Sequence, residues 1–213
     1  MSQTMNRKDF FRQIVEERRS IRKYDPNVKI PHEELEEMVT LATRAPSSTN
    51  LQPWKFVIID SAEGKDKLLP LAGYNSTQVT TSSAIVAVFA DTESVENLEE
   101  IYSKSVELGI MPQEVKERQV KQISAGYQTI SRKQKLDVAL VDNGLVSMLF
   151  MLTAKAYGYD TNPIGGYDKI HIAETFGLDK ERYVPVMIIA VGKAAEEGYS
   201  SYRLPVDSVV EWH

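Results

Sequence analysis

Arg18-Arg19-Ser20-Ile21-Arg22 places two guanidinium groups, Arg18 and Arg22, four residues apart, with Arg19 and the Ser20 hydroxyl between them. That combination suits a dianionic phosphate, because charge-assisted hydrogen bonds are supplemented by a neutral donor. The same residues also suit a solvated helix end, where cations sit favourably on the dipole. A second stretch, Ala45-Pro46-Ser47-Ser48-Thr49-Asn50-Leu51-Gln52-Pro53-Trp54, crowds hydroxyls and amides between two prolines. Ser47, Ser48, Asn50 and Gln52 can serve a polar ring edge or a polyol chain; they are equally the residues of a loop that caps itself. In Asn162-Pro163-Ile164-Gly165-Gly166-Tyr167-Asp168, adjacent glycines let the backbone approach a ligand closely and aim its N–H groups. A plain turn leading to a helix capped by Asp168 reads from that segment just as well. Ser201-Tyr202-Arg203-Leu204-Pro205 adds Arg203, of interest only if it joins the first cluster.

The elements that must position these segments follow from periodicity. Phe10, Phe11, Ile14 and Val15 form an apolar helical stripe that runs into the basic cluster. A second helix opens at Pro31, has Glu33 and Glu34 at its positive end, buries Leu35, Met38, Val39 and Ala42, and stops before Pro46. Trp54 to Ile59 reads as a strand, and Ser61 caps a short helix through Leu69. Ala84–Ala90 is apolar on both faces and so a central strand. Two amphipathic helices, about 94–107 and 113–130, form an excursion over the body. The longest helix, about 134–157, carries Leu145, Met148, Leu149 and Leu152 on one side and Val141, Phe150, Met151 and Ala154 on others, which predicts burial nearly all round, with Gly158 as its capping glycine. Asp160–Asp168 is expected as a loop before a helix ending at Gly177, and Val184–Val191 as a third strand. Helices dominate three or four strands with no strict βαβ alternation, which indicates an α+β fold.

The 213 residues suit a single domain, 1–213, without repeats or flexible linkers. The absence of cysteine excludes disulfides, thiolate metal sites and a cysteine nucleophile. A net charge of -5 argues against a nucleic-acid surface. The longest continuous apolar runs fall far short of the roughly 20 residues a membrane helix needs, and MSQTMNRKDFF lacks the apolar core of a signal peptide. The expectation is a soluble cytoplasmic protein, with neither nucleic acid nor membrane as partner. His32, His171 and His213 are scattered, form no metal-ligand pair and read as surface residues; no metal is expected. No Gly-x-Gly-x-x-Gly follows a strand, so a Rossmann dinucleotide site is not supported.

Taken together, RRSIRKY (18–24), APSSTNLQPW (45–54), Asn75 within GYNSTQ, PIGGYD (163–168) and YRLP (202–205) resemble the FMN-dependent nitroreductase family over essentially the whole chain. Any one motif is unspecific; five in the family's order and spacing are not. The resemblance implies a nitroreductase-like α+β fold, with a central, mostly antiparallel sheet flanked by helices and the long helix at a homodimer interface. It implies bound FMN and NADH or NADPH as co-substrate. Arg18 and Arg203 would hold the phosphate, with Arg19 in the same cradle and Ser20 donating to a phosphate oxygen or the ribityl chain. Arg22 would face the N1–O2 edge, where reduction places negative charge that a fixed cation stabilises. Pro46, Ser47, Ser48, Asn50 and Gln52 would lie beside the ring and ribityl chain. Asn75 would pair with the pyrimidine edge, and Pro163, Ile164, Gly165 and Gly166 would cover the ring, with a backbone N–H directed at N5. No catalytic side chain is required, since hydride passes through N5.

On this resemblance each site uses both subunits: the serine–asparagine loop comes from the partner of the subunit supplying the arginines. The 193–213 tail, through Val206, Val209, Val210 and Trp212, would wrap the partner. The implied reaction is ping-pong reduction of a small-molecule electron acceptor, such as a nitroaromatic or a quinone. The 94–130 excursion would wall the channel, with Tyr102 or Tyr127 near its entrance. Two departures stand out: Gly165 replaces an acidic residue frequent in the family, and basic residues frequent in the family, a Lys at the position of Ser201 and another near Gln78, are missing. Alternatives are the same scaffold with other chemistry (dehalogenation, flavin breakdown, enoyl reduction), a flavin-binding redox sensor or store with little turnover, or a helical interaction protein without ligand.

Overall fold

The computed structural model describes residues 6–213, so the reading of the first five residues as a leaderless start lies outside the described residues. Its helices are α1 (Arg7–Glu17), α2 (His32–Ala42), α3 (Ala62–Leu68), α4 (Ser76–Thr81), α5 (Leu98–Glu107), α6 (Gln113–Thr129), α7 (Arg132–Ala156) and α8 (Ile172–Thr175). Its strands are β1 (Trp54–Ile59), β2 (Ala84–Asp91), β3 (Asp160–Ile164) and β4 (Tyr183–Gly192), in one antiparallel sheet of order β1-β2-β4-β3.

β2 is buried at every position, as an unbroken apolar strand at the centre of a sheet must be. Its alternate side chains feed two layers. Ile85, Ala87 and Phe89 pack with Ile21, Tyr24, Leu68 and Ile172 on one face. Val86 and Val88 pack with Leu35, Met38, Val146 and Phe150, from α2 and α7, on the other.

β3 falls inside the segment expected to be a loop. Pro163 hides it: proline lacks the N–H that an interior strand needs, but an edge strand bonded on one side tolerates it, and β3 is the sheet's edge beside β4. α8 is a single turn. Asp168 does not cap it; Asp168 Oδ1 accepts the backbone N–H groups of Ile170 and His171 ahead of it.

α7 opens with a reciprocal capping box between Ser131 and Gln134 and is followed by Gly158 at φ 82°. It has the length and apolarity of a bilayer-crossing helix, although no continuous apolar run in the sequence reaches that length, and it packs one face on α2 and β2. The expected burial all round does not hold within the chain. Val141 is 65% exposed, Leu145 43% and Met148 39%, so an apolar stripe stands open opposite the buried Val146 and Phe150. Periodicity cannot tell a core from a second molecule as the group that covers such a stripe. α1 behaves similarly: none of its residues is buried, and Phe10 and Phe11 lie open.

The 94–130 excursion forms α5 and α6, preceded by a 3₁₀ turn at Ser94–Asn97. It has a small core of its own, in which Leu98 and Tyr102 enclose Leu51 from the loop before β1.

Candidate functional site

The basic cluster is laid along the open edge of β3. Ser20 bridges to Thr161, and the Ile21 N–H donates to the Thr161 carbonyl at 3.2 Å. After β4 the chain returns over the same segment. The Asp25 N–H donates to the Lys193 carbonyl, the Ala195 N–H to the Lys23 carbonyl, and the Arg22 N–H to Glu196 Oε1 at 2.7 Å. Gly198 then turns with φ 72°, and a Cβ built there would stand 2.8 Å from Ile21 Cδ1 and 3.0 Å from Arg19 Cβ. Only glycine satisfies both conditions. As a result Arg18, Ser20 and Arg22 face Tyr199, Ser201 and Arg203 across a cavity of about 190 Å³, with Arg19 and Ser200 also on its wall.

Arg18 lines this cradle, and its Nη1 is buried without a hydrogen-bond partner. A desolvated guanidinium donor left unpaired is costly, and the side chain can turn it toward an anion that enters the cavity. The other arginines are partly engaged. Arg19 Nη1 donates to the carbonyls of Glu16 and Arg18, and Arg203 Nη1 to Ser201 Oγ at 2.7 Å and the Tyr202 carbonyl. The Arg22 guanidinium stands 5.7 Å from the centre of the Tyr199 ring. A larger cavity of about 410 Å³, beside Leu35, Val39, Phe56 and Ile58, gathers no comparable set of donors.

Further along the same edge, Ile164 is buried at the end of β3 and Gly165 and Gly166 follow. Neither glycine has a positive φ, and a Cβ at either would meet nothing within 4 Å. Nothing inside the chain requires glycine there, and the backbone at both positions is open on the side a Cβ would occupy. Asn75 points into this segment. Its Nδ2 donates to the carbonyls of Ala72 (2.9 Å) and Gly166 (2.8 Å), and its Oδ1 accepts from Gln78 Nε2 at 3.2 Å. Both amide hydrogens are used, so Asn75 can offer a ligand only the remaining acceptor capacity of Oδ1.

The loop after Pro46 is built differently. Thr49, Asn50 and Gln52 have φ of 49°, 56° and 51°, a left-handed conformation uncommon for non-glycine residues and an outlier for β-branched threonine. Each costs on the order of 1 kcal/mol and persists only where its surroundings over-determine it. Ser47 Oγ accepts the Gln52 N–H at 3.1 Å. Asp142 Oδ2 accepts the Ser48 N–H at 3.0 Å, and Tyr102 donates its hydroxyl proton to the Thr49 carbonyl at 3.1 Å. Asn143 Nδ2 donates to the Pro53 carbonyl at 2.7 Å. Burial pushes the Asp142 carboxyl above the usual carboxylate range, and the Ser48 N–H partly opposes this. Burial, and after it the Asp142 charge, raises the Tyr127 phenol.

The loop and the arginines do not meet within one chain. The loop leads into Trp54, on the β1 edge, level with Ala90 and Val184. Ser20 sits beside Thr161, on the β3 edge, level with Val191 and Ala84. They occupy diagonal corners of the sheet, roughly 19 Å across and about 20 Å along by strand spacing and rise.

The model of the Nitroreductase family matches residues 15–193. The chain belongs to the nitroreductase family. It is 63% identical over 202 residues to YdgI of Bacillus subtilis (strain 168), which bears the name of an NAD(P)H nitroreductase, covering 95% of this chain and 97% of that one. It is 38% identical over 191 residues to the CLA biosynthesis enone reductase of Lactiplantibacillus plantarum, covering 89% and 88%. A nitroreductase-type protein of Exiguobacterium sibiricum 255-15, solved in complex with FMN, superposes with a TM-score of 0.94 at 52% identity and full coverage of both chains.

The match to the nitroreductase family takes in the 18–22, 45–54 and 163–166 segments and Asn75, but ends before Arg203, which only the returning tail brings to the cradle. Sequence reasoning missed Glu196, Gly198 and Tyr199, which fold that tail back, and Asp142 and Asn143, which grip the loop together with Tyr102. One signal was present: an Asp-Asn pair in the middle of the most apolar helix is out of place unless something binds it. The histidines are exposed, and His171 Nδ1 stands 2.6 Å from Asp168 Oδ2. Among the described residues no three His, Asp or Glu side chains form a metal-sized cluster.

Proposed function

We propose that this chain is an FMN-dependent NAD(P)H oxidoreductase of the cytoplasm, acting as a homodimer on small electron acceptors such as nitroaromatics and quinones. The observation that carries the reading is the cavity that Arg18, Ser20, Arg22 and Arg203 line together, with Arg18 Nη1 left without a hydrogen-bond partner. That cradle fits the phosphate of FMN: Arg18 and Arg203 neutralise it, Ser20 adds a neutral donor, and Arg19 raises the local potential. Gly165 and Gly166 offer open backbone for a flat ring to lie against, and Asn75 Oδ1 can accept from a pyrimidine N–H at its edge. Arg22 supplies a cation for the N1–O2 edge and is steadied by Tyr199.

Bound FMN supplies the hydride chemistry at N5, while the chain orients it, tunes its potential and limits access. NAD(P)H and acceptor occupy the same place in turn, which gives ping-pong kinetics. Completion of each site by the loop of a second copy is supported by the diagonal separation of loop and arginines and by the open apolar stripe on α7. The exposed Val206, Val209 and Trp212 of the tail suit the same partner.

The test is direct. Purified protein is expected to be yellow, dimeric and able to oxidise NADH or NADPH with a quinone; a colourless monomer that ignores added FMN contradicts the reading. A second reading, reduction of an activated C=C bond, is favoured by the likeness to the CLA biosynthesis enone reductase. Turnover of an α,β-unsaturated ketone, faster than that of a nitroaromatic or quinone, would select it.

A further inference from the structure

Three residues in four, Thr49, Asn50 and Gln52, hold a left-handed backbone with no glycine among them. Such a run relaxes unless something outside it forbids relaxation. Here the restraint comes from buried side chains on two different helices. Asp142, 5% exposed on α7, takes the Ser48 N–H. Tyr102, 6% exposed on α5, holds the Thr49 carbonyl. Between them Leu51 is plugged into the core of the excursion, and Asn143, next to Asp142, fixes the far end through the Pro53 carbonyl. The Asn50 side chain is left exposed, with no hydrogen bond of its own among the described residues.

We propose that Asp142 and Tyr102 are positioning residues that hold residues 47–52 in the strained shape with which one subunit completes its partner's flavin site. This rests on the two-subunit flavin reading above. Neither residue needs to touch flavin or substrate. α7 is suited to the task, because Asp142 adjoins Val141 and lies one turn from Leu145, both on the open apolar stripe. The loop is thereby referenced to the surface through which a second copy would arrive. The excursion gains a role besides walling a channel, since its core is completed by the loop it holds.

The experiment uses the flavin-loaded protein and four variants: Asp142→Ala, Asp142→Asn, Tyr102→Phe and Arg18→Ala. FMN affinity is measured by fluorescence titration, ring environment by visible circular dichroism of the bound flavin, and folding by melting of the apoprotein. Asp142→Ala and Tyr102→Phe are each expected to weaken FMN binding about tenfold and alter the visible dichroism, at the upper end of a single hydrogen bond's worth, with the apoprotein still folding cooperatively. Asp142→Asn keeps an oxygen that accepts the Ser48 N–H and is expected to recover affinity to within about threefold of the parent. Parental affinity and dichroism in Asp142→Ala overturn the proposal, and so does an Asp142→Asn variant as weak as Asp142→Ala. If Asp142→Ala does not fold, Tyr102→Phe decides: parental behaviour there overturns it. Arg18→Ala separates the two levels. Weakened binding in Arg18→Ala beside parental binding in the clamp variants removes only the clamp; parental binding in all four removes the flavin-site reading with it.

Discussion

Beside β3, Arg18, Arg19, Arg22 and Arg203 are set by backbone contacts between two chain segments, 18–25 and 193–203, and the guanidinium groups of Arg19 and Arg203 fold back on the carbonyls of nearby residues. Before β1, residues 47–52 are gripped by the buried side chains of Asp142, Asn143 and Tyr102 in a conformation they would not hold alone. Attraction between charges falls off slowly with distance and tolerates small displacements. Hydrogen bonds to a ring edge or a polyol fail within a few tenths of an ångström and some tens of degrees. The tolerant interaction thus falls to the region held by backbone contacts, and the exacting one to the region gripped by buried side chains.

The comparison can be broken most severely at the surface that would join its halves. Leu145→Asp puts a charge on the open stripe of α7 and is expected to leave a folded, colourless monomer, read by light scattering and visible absorbance; a yellow dimer would mean that the two regions do not need α7 to meet. Arg18→Ala is expected to weaken FMN binding by roughly 1.5–3 kcal/mol, the worth of a hydrogen bond to a charged group. Its sharper form is salt dependence: added salt should weaken parental binding more than that of Arg18→Ala, because only the cradle acts through charge. Gly198→Ala forces a side chain into a left-handed position and against Ile21, at about 1–2 kcal/mol. FMN affinity and melting temperature should fall together, and a change in melting alone would detach the strap from the cradle. The smallest effect belongs to Arg22→Ala, which is exposed. It is expected to lower the flavin potential by roughly 20 mV, as one screened charge allows, and to slow hydride uptake more than it loosens binding.

Much of this was legible in the residues. The apolar run of β2, the Pro31 start of α2 and the extent of α7 to within two residues follow from periodicity and capping. The common cavity of Arg18 and Arg203 was expected only from the resemblance, since nothing in the spacing of residues 18 and 203 brings them together. β3 stayed hidden because Pro163 is a poor strand residue except at an edge. Periodicity predicted α7 buried all round, whereas within the chain a stripe stands open; hydrophobic period cannot say what would cover a face, and only the resemblance put the long helix at a homodimer interface. Asn75 spends both amide hydrogens on the turn at Ala72 and on Gly166, which no residue pattern foretells, and keeps only Oδ1 for the ligand the resemblance implies. The clamp on the loop was the hardest to foresee: Ser, Thr, Asn and Gln are ordinary turn residues, and their left-handed backbone is imposed by Asp142 and Tyr102, far off in sequence.

The central claim, that arginines of one copy and the 47–52 loop of another form one flavin site, is tested most directly by complementation. An Arg18→Ala, Arg203→Ala double variant and a Ser48→Ala, Asn50→Ala double variant, each impaired in FMN binding, are mixed and allowed to exchange subunits. Mixed dimers carry one intact and one doubly damaged site, so statistical exchange in a two-fold dimer should restore binding at about a quarter of the sites. No restoration, with exchange verified by mass, would place all the determinants in one chain and contradict the account.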